Sequence, residues 1–73
     1  MPTKEAIAAI IGSYRVLLHY AATAKATKGR LYAVFGPDGQ ITDPSSHAIA
    51  IEAMRLIVAQ EILDACVGDD RMA

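Results

Sequence analysis

The chain has 73 residues, 53% of them hydrophobic and 21% charged, with seven basic and eight acidic side chains for a net charge of −1. That apolar content excludes an intrinsically disordered chain. Near-neutrality excludes a general electrostatic grip on nucleic acid or anionic lipid.

A domain of this size buries only about 60% of the surface its unfolded chain exposes, and small chains compensate with disulfides, a metal or oligomerisation. A lone cysteine, Cys66, cannot form an internal disulfide. No metal-ligand spacing is evident, so oligomerisation is the expected device.

Thr3 reads as an N-cap, with Glu5 in the first turn where the helix dipole favours a carboxylate. Ile7, Ile10, Ile11, Tyr14, Leu17, Leu18 and Ala21 then recur at i, i+3, i+4, i+7, the pattern of an amphipathic helix. Gly29 suits a C′ residue, and Lys25 and Lys28 suit a last turn. The expected first helix covers about residues 4–28. Gly12 in its interior costs roughly 1 kcal/mol relative to Ala. It is either tolerated there or marks the close backbone approach of a neighbour.

Leu31 to Phe35 has strand composition. Gly36-Pro37-Asp38-Gly39 is a strong turn, with Pro37 presetting φ and Gly39 free to take the left-handed position. Gln40-Ile41-Thr42 returns as a short strand. This hairpin, about 31–42, is marginal alone and must pack on the helices or pair with another copy.

Asp43 and Pro44 read as N-cap and first residue of a second helix over about 44–67, with 69–73 a flexible tail. This helix carries two apolar stripes on different sides, at 100° per residue. Ile51, Met54, Val58, Ile62 and Ala65 form one. Ile49, Ala53, Leu56, Leu63 and Val67 form the other. A helix that is apolar nearly all round is a buried one. One stripe can pack on the first helix, and the other calls for a second chain. The expected oligomer interface is therefore Ile49, Leu56 and Leu63, or else Ile51, Val58 and Ile62; the pattern does not choose between them.

Arg15, His19, Lys25, Glu52, Arg55 and Glu61 interrupt both apolar segments, so neither reads as a membrane span, which needs about 20 apolar residues. Ala22-Thr23-Ala24 imitates a signal cleavage site. Against it, Glu5 occupies the would-be basic region, and Arg15 and His19 follow the apolar run. An unpaired cysteine without a signal suits a reducing cytoplasm.

Chemistry-bearing residues are few. Pro2 becomes N-terminal if Met1 is removed. Tautomerases that use such a proline begin with a strand, however, and this chain reads as beginning with a helix. Ser45, Ser46 and His47 open the second helix, where exposed amides can hold an anion, but Asp43 already supplies a carboxylate there. A Ser–His pair without a positioned acid is no triad. His19 lacks further ligands at metal spacing. Lys25, Lys28, Arg30 and Tyr32 form a basic cluster with an aromatic, which suits dipole complementation and solubility as well as a phosphate or an acidic partner. Cys66 has no basic neighbour in sequence and reads as inert.

The expectation is an α+β chain, mostly α, in helix–β-hairpin–helix order (α-β-β-α). Its antiparallel helix pair would assemble into a homodimeric or higher-order bundle. The expected function is a non-enzymatic protein–protein interaction module: an adaptor, regulator or inhibitor of the kind mobile elements often encode. It would need no cofactor or metal, and its partner would be itself and another protein. The alternative is an oligomer that binds a small anion or nucleotide at subunit interfaces, through Lys25, Lys28, Arg30, Ser46 and His47.

Overall fold

The computed structural model describes residues 2–26 and 29–72, with side chains as far as Val67. The first helix, α1, covers Lys4–Gly12. It starts as the sequence implies: the Ala6 amide donates to Thr3 Oγ1 at 3.1 Å, and Glu5 sits in the first turn.

The helix does not continue to residue 28. After Ser13 and Tyr14 the chain forms strand β1, Arg15–Leu18, and then a short helix α2, Tyr20–Lys25. The reason lies in pairing and composition. Tyr14 and Val16-Leu17-Leu18 suit a pleated strand at least as well as a helix, and short apolar runs do not separate the two periods. A strand at this point supplies partners to the backbone of the next one. Gly12 is therefore the last residue of α1, with open space where a Cβ would stand. It is neither a tolerated interior glycine nor a point of close approach.

His19 caps α2, its Nδ1 accepting from the Ala22 amide at 3.1 Å. This fixes the ring as an acceptor at Nδ1, so its N–H is on Nε2. The Thr23 hydroxyl then binds both backbone groups of Leu31, accepting from its amide at 2.8 Å and donating to its carbonyl at 3.2 Å. Between them Gly29 adopts φ 108°, a left-handed conformation used in the connection rather than as a helix cap. Lys28 lies outside the described residues.

Strands β2, Tyr32–Gly36, and β3, Gly39–Gln40, form the expected hairpin. Gly36 pairs with Gly39, leaving Pro37 and Asp38 at the tip, and the left-handed residue is Gly39 at φ 114°. The sheet is antiparallel in the order β1-β2-β3, with Val16 opposite Val34 and Leu18 opposite Tyr32. The third strand stops early. Ile41 still donates to the Val34 carbonyl at 2.8 Å, but the Val34 amide turns to Thr42 Oγ1 at 3.0 Å. The chain then returns to β2 at Ser45, which exchanges two backbone hydrogen bonds of 2.7 and 2.8 Å with Tyr32.

That bridge corrects the start of the long helix. Ser45 is held extended beside Tyr32, so Asp43 and Pro44 stay outside the helix. The last helix, α3, covers His47–Met72. Ser46 takes the capping role: its Oγ accepts from the Ile49 amide at 3.3 Å, and its carbonyl accepts from Ala50. The far end also differs from expectation. Asp69 to Met72 continue the helix, and Ala73 lies outside the described residues.

Alternation puts Tyr14, Val16 and Leu18 on the same sheet face as Gly36, Val34 and Tyr32. This face meets α3. Tyr14 bonds Glu61, and the Tyr32 ring stands edge-on to His47 at 4.8 Å and 74°. The short α1 packs on α3 as well. The core is small: Ala33 and Val34 are 0% exposed and Ala50 is 1% exposed. The molecule measures 53 × 16 × 16 Å. Its radius of gyration is 14.9 Å, against about 11 Å for a compact chain of this length.

Candidate functional site

The helix α3 spans about 39 Å at 1.5 Å per residue, so a three-stranded sheet and one short helix cover only part of it. The structure distinguishes its two apolar stripes. Ala50 is buried, and Ile51, Met54, Val58, Ile62 and Ala65 are half-buried. The opposite stripe faces solvent except at the half-buried Ala53: Ile49 is 62% exposed, Leu56 64%, Leu63 59% and Val67 49%. Ile49, Leu56 and Leu63 are seven residues apart. Ala53, Gln60 and Val67 fall between and beyond them at the alternating four- and three-residue steps of a coiled-coil seam. Gln60 is the polar member, and its Nε2 donates to Asp64 Oδ1 at 3.0 Å.

Beside this stripe an apolar groove of about 290 Å³ runs between the end of α1 and α3. Ile11, Met54, Arg55, Val58, Ala59 and Ile62 line it. Ile11 reads in sequence as part of one long stripe. Because α1 stops at Gly12, it is left 53% exposed at the groove wall. Ala59 of the groove lining neighbours Leu56 and Leu63 of the outer stripe at three- and four-residue spacing, so the groove borders the stripe.

The basic cluster is less concentrated than its sequence spacing suggests. Lys25 closes α2 and Arg30 lies in the following connection, both exposed. Tyr32 is half-buried in the central strand, its ring against His47. The Ser46 hydroxyl is occupied in capping α3. His47 is exposed in the first turn. Cys66 is a free thiol, half-buried. Among the described residues no group of three or more His, Cys, Asp or Glu is placed to hold a metal ion.

One polar contact has no sequence signal. The Tyr14 hydroxyl donates to Glu61 Oε1 at 2.5 Å across 47 residues of sequence. That hydrogen bond, with some desolvation and the charges of Glu61 and Asp38, holds the phenol above its ordinary value near 10. It ties the approach to β1 to the middle of α3.

No family model, curated protein or solved structure matches this chain. Among the described residues no helix is long and apolar enough to cross a membrane.

Proposed function

We propose that this chain is a small non-enzymatic interaction module that works as a homo-oligomer, in the manner of an adaptor, regulator or inhibitor. One observation carries the reading. The chain exposes 5418 Å², whereas a folded monomer of 7.8 kDa is expected to expose about 4,400 Å². The excess, about 1,000 Å² per chain, compares with the roughly 800 Å² that each partner contributes to a standard interface. Much of the exposed apolar surface is concentrated in one helical stripe and the groove beside it.

Light scattering at micromolar concentration tests this. The expected mass is at least twice 7.8 kDa, and a stable species of 7.8 kDa would overturn the reading. The anion-binding alternative draws on less, because the Ser46 hydroxyl is engaged by the Ile49 amide. A thermal-shift screen with nucleotides and phosphorylated metabolites separates the two. A ligand at 100 times its Kd stabilises by about 2.7 kcal/mol, and the interaction-module reading expects no shift.

A further inference from the structure

We infer that α3 pairs with α3 of a second copy, antiparallel, along Ile49, Ala53, Leu56, Gln60, Leu63 and Val67. This rests on the oligomeric reading above and adds the surface and the orientation.

The seam is exposed except at the half-buried Ala53, and Ile49, Leu56, Leu63 and Val67 range from 49% to 64% exposed. It runs about 27 Å along a helix that the rest of the chain leaves open on that side. The occupant follows from area and from fit. The chain's excess surface is close to what one partner of a stable dimer buries.

The side-chain volumes of this seam match their own reverse. In an antiparallel pair centred between Leu56 and Gln60, Ile49 of one copy lies opposite Val67 of the other. Ala53 then lies opposite Leu63, and Leu56 opposite Gln60. Small meets large, and each Gln60 lies beside a leucine while its amide is bonded to Asp64. A parallel pair stacks like on like: Ala53 on Ala53 leaves a void, and Gln60 on Gln60 buries two amides together. Interiors are packed to crystal density, so the matched arrangement is favoured. Antiparallel helices also set opposite dipole ends side by side. They also keep the two exposed Asp64 carboxylates on opposite sides of the pair's centre.

Cysteine crosslinking tests both claims, in a Cys66→Ser background. A chain carrying Ile49→Cys and Val67→Cys should oxidise to a covalent dimer, whereas Ile49→Cys alone should not. Within one helix those positions are about 27 Å apart, well beyond disulfide reach. Efficient crosslinking of Ile49→Cys alone would show parallel pairing and overturn the inference. A protein that keeps its dimer mass but crosslinks in neither form would place the interface elsewhere. It would overturn this inference and leave the oligomeric reading standing, whereas a monomer mass for the unmodified chain overturns both.

Leu56→Glu is the companion variant. It should weaken association at least a hundredfold while the far-ultraviolet circular dichroism stays helical. A variant whose mass is unchanged would count against the seam. If it unfolds, Gln60→Glu, which is solvent-exposed within one chain, replaces it with the same expected loss of association.

Discussion

At the residue scale, two positions carry more structure than their neighbours. Tyr14 joins the approach to β1 to α3 through Glu61. Its phenol is held above the ordinary value near 10, chiefly by that hydrogen bond, so the folded state keeps the proton longer than the unfolded state does. The stability this gives is complete below about pH 10 and is lost as pH rises through the raised value. Tyr14→Phe should therefore flatten the alkaline limb of a stability–pH curve, measured by urea titration between about pH 8 and 11. An unchanged limb would mean that another group sets it.

Gly39 is the second. It adopts φ 114° with nothing within 4 Å of a built Cβ, so substitution there meets backbone strain without a clash. Gly39→Ala should cost roughly 1–2 kcal/mol, read as a lowered Tm. Gly36 is the converse case. Its φ is ordinary, but a Cβ would stand 2.7 Å from Ile41 Cδ1 and 3.0 Å from Tyr14 Cε1. Turn chemistry in the sequence marks both glycines, but only the packed structure shows that they are needed for different reasons.

At the element scale, the hairpin was legible because its signals are local: Pro37 for φ, Gly39 for the left-handed turn, and strand composition over Leu31 to Phe35. The N-cap at Thr3 was legible for the same reason. The division of the first segment was not. Ile7 through Ala21 fit a helical period, yet Arg15 to Leu18 pair with Tyr32 to Phe35, and that pairing is a long-range event no local window contains. The second cap was misplaced in the same way. Asp43-Pro44 is a sound local start signal, overridden by two hydrogen bonds between Ser45 and Tyr32.

The short α2 is held by a comparable device. Thr23 satisfies both backbone groups of Leu31, which leads into the central strand. Thr23→Val keeps the shape and removes both bonds. It should cost about 1–2 kcal/mol in chemical denaturation. A cost near zero would mean that water replaces the hydroxyl freely.

At the scale of the whole molecule, the two stripes of α3 were visible in sequence but their assignment was not. Their spacing says only that one is surplus. The structure assigns the inner role to Ile51, Met54, Val58 and Ile62, because the sheet and α1 pack on that side. Among the described residues only Ala33, Val34 and Ala50 are fully buried, a thin basis for a stable monomer. The proposed association would then add to the stability of each chain and make it depend on protein concentration. A tenfold dilution should lower Tm by about 3–6 °C, corresponding to about 1.4 kcal/mol. A Tm that ignores dilution across the micromolar range would show that the monomer is stable alone.

The early end of β3 also bears on how the proposed assembly would stop growing. A sheet with a bare, straight edge is a template on which further strands add, a hazard for any chain that self-associates as proposed above. Here the Thr42 hydroxyl takes the Val34 amide in place of a strand carbonyl, and the Ser45 backbone seals the far end of β2. The opposite edge, β1, has only four residues and begins with an exposed Arg15. Neither margin offers a run long enough to propagate. Open-ended growth by strand addition is thereby disfavoured, which leaves the proposed helix pairing as a route to a finite complex.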